Sequence, residues 1–359
     1  MAQVPEVHRS LGYVLHKLCQ GKFLKPKPAP NIYEFGENGV LARHNLRASL
    51  ITGRLDMLPA KSKEEAMTFL ADGKSAIMNN TVKPQRRPIF DTVVQKGFRN
   101  QKNLIQFYEV IQDDGSDNLA YQTYLRNRKR FWKNIMFSQG LVVSEETPQE
   151  CKAVIKVHLT DIEESEIEPM ELESFHKIDE NFGCDNLKIF HSTLDPDIGT
   201  FSMLMDAVRH RQFCKTHRLV LPNKIAPIPL GMVVKEEQCK CPKAKIDIKE
   251  LARYIELIVQ AQQLDMVTIN CLDTMDNLGV PFVMVLDREC LNSGIVKVRN
   301  RDTNWCENVH LSYISTRICQ AFTRRRMSED YLHVKHEYLD KRFSKPRYPY
   351  TDSTNDDDQ

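Results

Sequence analysis

Arg126, Lys129, Arg130 and Lys133 stand at i, i+3, i+4 and i+7 in the stretch Tyr121 to Phe137, so a helix there would carry its cations along one side. Arg128 sits among them in the chain. A row of guanidinium and ammonium groups grips a phosphate backbone without reading bases. Each neutralised phosphate steepens the logarithmic salt dependence of such binding by about 0.9. The same charges also suit a solvated helix face with no ligand. Phe131 and Trp132 beside them fit a core better than a base-stacking platform, because Tyr121, Tyr124, Leu125, Trp132, Ile135 and Met136 form one apolar stripe.

Covalent and metal chemistry find little support elsewhere. The eleven histidines, among them His158, His176, His191, His210, His217 and His310, are dispersed and suggest neither a ligand set nor a base beside a nucleophile. No Gly-x-Ser-x-Gly elbow, Walker loop or His-Glu-x-x-His helix occurs. Asp195 and Asp197 flank Pro196 in a turn, where short acids satisfy backbone amides more often than they hold a metal. The ten cysteines include no Cys-x-x-Cys pair, and several fall in apolar patterns where a thiol packs as a small hydrophobe. Cys239 and Cys241 lie in a Lys-rich loop without a downstream partner pair. The expectation is a chain with no catalytic residue, no metal and no cofactor.

At 359 residues the chain has room for two domains with separate cores. A hydrophobic content of 41% and a charged content of 27% describe an ordinary globular protein. A net charge of +2 excludes a uniformly basic nucleic-acid binder, so any such contact must come from local patches. No apolar run approaches membrane-spanning length. Met1 to Ala29 holds one acid, Glu6, against Arg9, Lys17, Lys22, Lys25 and Lys27, with Val7, Leu11, Val14, Leu15 and Leu18 at helical spacing. That pattern fits a mitochondrial targeting segment or a first structural helix with a basic face.

The elements that would hold these groups follow from periodicity and turn residues. A helical pattern follows Gly39, with Val40, Leu41, Leu46 and Leu50. Ile89 to Val94, Leu104 to Ile111, Val154 to His158 and Lys188 to Thr193 read as strands, and Phe201 to Phe213 as a helix. The acid-rich Asp161 to Glu180 reads as a solvated loop or helix face. Pro222 to Pro229 reads as a linker. Beyond it come a strand (Ile228 to Val234), a helix (Ile248 to Leu264), a strand (Met266 to Cys271), a strand pair and a last helix (Val309 to Thr323), implying a small α/β sheet.

That strand pair is the most distinctive stretch. Val280 to Leu286 is an almost unbroken apolar run, as in a strand covered on both faces. Asn292, Ser293 and Gly294 supply turn chemistry, and Ile295, Val296 and Val298 alternate with Lys297, Arg299 and Arg301. With Asp276 and the run Leu278-Gly279-Val280-Pro281-Phe282 before it, and Asp302 and Thr303 after it, the segment resembles the anticodon-binding domain of class II aminoacyl-tRNA synthetases of the glycyl, prolyl and threonyl kind. Catalysis in that class needs Phe-Arg-x-Glu and a glycine-rich run ending in Arg. Here Phe98-Arg99-Asn100-Gln101 replaces the carboxylate, and no such glycine run occurs. Little chain separates Cys271 from Gly279, so the helix synthetases place there is expected to shrink to a turn.

Several further segments, in order, resemble the family of accessory subunits of mitochondrial DNA polymerase: Leu18 to Leu24, Phe35 to Leu46, Ile89 to Thr92, Tyr124 to Ser138, Ile225 to Val234 and Asn292 to Thr303. The resemblance implies a mixed α/β and α+β architecture: a degenerate class II synthetase-like antiparallel-sheet domain at 31–221 and an anticodon-binding-like mixed α/β domain at 222–326. An N-terminal helix or targeting segment (1–30) would precede them, and a disordered charged tail (327–359) would follow. It implies a protein of the mitochondrial matrix nucleoid, not an enzyme, that binds the catalytic subunit and primer-template DNA to raise processivity. Arg126, Arg128, Lys129, Arg130 and Lys133 would meet DNA. Gly294, Arg299, Arg301 and Asp302 would meet the partner, although Arg301 and Asp302 could instead close the sheet. The first half lacks room for a dimerising insertion, so a monomer is expected. The alternative is a tRNA-binding synthetase paralogue.

Overall fold

The computed structural model describes residues 11–26, 33–52, 58–60, 63–71, 74–79, 104–112, 117–136, 142–147, 151–159, 169–178, 187–210, 217–239, 241–262 and 264–323. The expected strand at 89–94, the Arg99 segment, the first ten residues and the charged tail lie outside them. The fold is mixed α/β, with an antiparallel-rich sheet and a mixed one.

Leu24–Pro26 (β1) and Tyr33–Phe35 (β2) form a short antiparallel ribbon. The large sheet uses Leu58–Ala60 (β3), Ala76–Asn79 (β4), Ile105–Gln112 (β5), Val142–Thr147 (β6), Lys152–Val157 (β7), Met170–Ile178 (β8) and Leu187–Leu194 (β9). Its order is β3-β4-β5-β9-β8-β7-β6. Only β3 and β4 run parallel; the remaining pairs are antiparallel. Alternation sorts its side chains. Ile105 and Phe107 join Phe175 and Phe190 in the main core, with residues of the helices Leu11–Gln20, Glu37–Thr52, Asp117–Ile135 and Pro196–Ala207. Tyr108 and Ile189 pack instead with Ala66 and Leu70 of the helix Lys63–Ala71.

Val208–His210 (β10) and His217–Leu219 (β11) make a second small ribbon. The mixed sheet follows: Leu230–Val234 (β12), Met266–Ile269 (β13), Phe282–Leu286 (β14), Ile295–Asn300 (β15) and Cys306–His310 (β16), in the order β13-β12-β14-β15-β16. Strands β13, β12 and β14 are parallel, and β14 meets β15 antiparallel. Every residue of β12 is buried, as expected of a central parallel strand.

Several expectations are corrected. Within the acid-rich stretch, Met170–Ile178 is an interior strand whose Met170, Leu172, Glu173 and Phe175 are buried; its acids hid an apolar alternation. The helix expected from Phe201 begins at Pro196 because Asp195 caps it and Pro196 suits its first turn. It ends at Ala207, where β10 begins. The stretch before Gly279 is not a mere turn but the helix Leu272–Asn277, and the expected turn at 292–294 is the end of a helix, Arg288–Ser293. The last helix is shorter, Ile314–Thr323, since 306–310 pairs as a strand.

The chain divides into two compact units, Met1–Val309 and His310–Gln359. In the second, the backbone N–H of Ser312 donates to His310 Nδ1 at 3.3 Å, opening the 3₁₀ turn Leu311–Tyr313 that leads into the helix Ile314–Thr323. Among the described residues no helix is long and apolar enough to cross a membrane.

Candidate functional site

Asp117–Ile135 is a helix because its apolar residues recur at helical spacing, and Tyr121, Tyr124, Leu125, Trp132 and Ile135 are all buried. The opposite side carries Arg126, Arg130 and Lys133, all exposed. Lys129 is half-buried and its Nζ donates to Glu146 Oε1 at 2.8 Å. Arg128 does not belong to this outer row. It lies two positions from Arg126, a rotation of about 200° on a 3.6-residue helix, and points into the core.

There Arg128 meets Glu173 of β8. Its Nε donates to Oε1 at 2.8 Å and to Oε2 at 3.0 Å, and its Nη2 donates to Oε2 at 2.8 Å. Trp132 Nε1 donates to the same Oε2 at 2.8 Å. The guanidinium also lies over the Phe131 ring, 4.8 Å from its centroid. Burial pushes the pKa of Arg128 down, but the charge of Glu173 and its hydrogen bonds outweigh that, and the net shift is upward. The Glu173 side chain has 0% exposure, so this is an internal ion pair with its lone pairs occupied.

The signature segment forms a second constellation. The helix Leu272–Asn277 ends in a Schellman arrangement: Gly279 N donates to Asp276 O at 3.1 Å and Val280 N to Met275 O at 3.1 Å. Gly279 supplies the left-handed backbone, with φ +68°, and a Cβ there would press on Leu219. Asp276 faces inward, and Arg299 grips it with two bonds, Nη1 to Oδ1 at 2.9 Å and Nη2 to Oδ2 at 3.1 Å. Arg301 is wholly buried. Its Nη1 donates to Gly279 O and its Nη2 to Leu221 O, each at 2.6 Å, and its Nε donates to Asp302 Oδ1 at 2.9 Å. Thus Arg299 and Arg301 brace the segment internally, and Asp302 is the half-buried counter-ion of Arg301. Gly294 is the left-handed cap, φ +66°, of the helix Arg288–Ser293.

Sequence reading missed Glu173 and the inward course of Arg299, and offered an internal role for Arg301 and Asp302 only as the alternative to partner contact. The inward course of Arg128 was legible, since it stands four residues after Tyr124 and four before Trp132, within the apolar stripe. Asp195 acts as expected of a short acid in a turn: its Oδ1 accepts from Asp197 N at 2.8 Å. Arg43 Nη1 donates to Asp197 Oδ1 at 3.0 Å beside it. Among the described residues no group of three or more His, Cys, Asp or Glu is placed to hold a metal ion.

No protein-family model matches the chain. It is similar to the Drosophila melanogaster protein named DNA polymerase subunit gamma-2, mitochondrial, with 20% identity over 147 residues, 37% of this chain and 39% of the relative. The match therefore spans well under half the length of that relative.

Proposed function

We propose that this protein is a non-catalytic accessory subunit of a mitochondrial DNA polymerase, acting in the matrix nucleoid. It binds the catalytic subunit as a monomer, holds primer-template DNA by its backbone and so raises processivity. The likeness to a mitochondrial DNA polymerase subunit carries this reading. Residues 31–221 and 222–326 would then be a degenerate synthetase-like domain and an anticodon-binding-like domain. The outward cations Arg126, Arg130 and Lys133 support the DNA contact. Lys129 already has Glu146, and Arg128 is internal.

Two measurements test it. Affinity capture from mitochondrial extract with the full chain is expected to recover the large polymerase subunit; recovery of tRNA, sensitive to changes in the anticodon loop, would sink the reading in favour of a synthetase paralogue. For duplex DNA, three outward cations imply a log–log salt slope of roughly −2.7, against roughly −4.5 had all five faced the phosphates. Replacing Arg126, Arg130 and Lys133 together by Ala should remove that slope for every DNA sequence alike.

A further inference from the structure

Two arginines of the signature are buried and tied to the chain's own carboxylates and carbonyls, so neither can touch a partner. What they fix is the turn between β15 and β16. Arg299, while holding Asp276, also donates through Nη2 to Asn304 Oδ1 at 2.9 Å. Asn300 Oδ1 accepts from Asp302 N at 2.7 Å and Thr303 N at 3.2 Å. Asn300 N donates to Trp305 O at 2.9 Å, and Trp305 N donates to Thr303 Oγ1 at 3.2 Å. Asn304 adopts the left-handed backbone that closes the loop, φ +59°. Each residue from Asn300 to Trp305 is thereby held by a bond made within the turn or to a buried arginine.

This braced loop presents Trp305 with 68% of its surface exposed, at the head of the edge strand β16, beside exposed Cys306, Glu307 and Asn308. A tryptophan so far out of the core is the residue type most enriched among binding hot spots. Because the loop is already ordered, docking it costs little conformational entropy. The kind of partner follows from charge. Residues 302–309 contain Asp302 and Glu307 and no Lys or Arg, which disfavours a phosphate backbone and favours an apolar protein pocket with a cationic rim.

We infer that Trp305 is the anchor by which this chain docks onto the catalytic polymerase subunit, with Asn300, Arg299 and Arg301 as positioning residues. The inference rests on the accessory-subunit reading. Its test titrates the purified catalytic subunit with the full chain. Trp305→Ala should weaken binding at least about 30-fold, the equivalent of a 2 kcal/mol hot spot, with an unchanged unfolding midpoint and DNA salt slope. Trp305→Phe should retain most of the affinity. Asn300→Ala should weaken binding about tenfold, and Asn300→Asp, whose carboxylate accepts the same two amides, should restore it. Equal affinity of Trp305→Ala and an avidly binding wild type overturns the anchor and leaves the polymerase reading standing. Lost DNA affinity with partner affinity intact overturns it in favour of a base-stacking role. A wild type that does not bind the catalytic subunit at all overturns both.

Discussion

The long helix and the signature segment both contain arginines that sequence reading aims at ligands, and they dispose of them differently. On the helix one arginine of the cluster turns inward to Glu173 while Arg126 and Arg130 stay in water. On β15 and its turn both Arg299 and Arg301 are interior. The helix therefore remains a surface that could grip phosphate, whereas the signature is a brace that shapes a surface made by other residues. The two braces also differ in kind. Arg128 and Glu173 neutralise each other in isolation from water, while Arg301 rests on backbone carbonyls and on a carboxylate that is 34% exposed.

The largest expected effect follows from that difference. Glu173→Ala strands a buried guanidinium and the Trp132 N–H, which should cost about 3–5 kcal/mol in denaturant unfolding. Replacing Arg128 and Glu173 together by Met should recover most of the loss, because no unpaired charge remains. If the single and double variants prove equally unstable, the pair is not the internal unit its geometry describes.

Asp195, which caps the helix Pro196–Ala207, sharpens the contrast from the opposite side, as a buried acid without full compensation. Its buried Oδ2 has no hydrogen-bond partner among the described residues. Burial first, and then the Asp197 carboxylate, push its pKa up to about 7 from 3.8, against the pull of the Asp197 and Ile198 amides and of Arg43. The folded chain thus keeps this proton through a window in which the unfolded chain has released it. The stability it brings is full below about pH 4 and is lost as pH rises through about 7, up to about 4 kcal/mol in total. Asp195→Asn keeps the helix cap and should flatten that slope. Unfolding free energies at pH 5 and pH 8 check it, and a wild type without the decline would count against the burial.

Arg301→Met is expected to fall below the Glu173 variant, at about 2–4 kcal/mol. It leaves Gly279 O and Leu221 O without their donor, at about 1–2 kcal/mol each because both are neutral acceptors, and strands no fully buried charge. A loss equal to that of Glu173→Ala would erase the distinction between the two braces.

How far the sequence announces these arrangements depends on the range of the contacts. The helix Asp117–Ile135 is legible because its period is local, and the strands β5, β7 and β9 because their alternation is clean. Glu173 is not, since its inward course depends on an irregularity where Ile155 pairs with Glu173 but Lys156 with Glu171. That slip leaves Leu172 and Glu173 both buried. Gly294 is legible as a turn residue, yet the burial of Arg301 is set by Leu221, 80 residues earlier. In the signature strand, alternation alone makes Lys297, Arg299 and Arg301 one face; that face runs from half-buried at Lys297 to closed at Arg301.

Gly294 carries the smallest expected effect and separates bracing from contact most finely. It ends the helix Arg288–Ser293 with φ +66°, and its N–H donates to Cys290 O at 3.0 Å. A side chain there meets the left-handed penalty of about 1 kcal/mol, less for Asn, which tolerates that backbone. Gly294→Ala should therefore lower stability by about 1 kcal/mol, with Gly294→Asn between it and the wild type. Gly294→Glu adds a carboxylate at a helix C-terminus, a further unfavourable term of about 0.3–1 kcal/mol. If partner affinity falls with Glu but not with Ala or Asn, the partner approaches Gly294 itself. If all three variants lower affinity in step with stability, Gly294 acts only through the backbone.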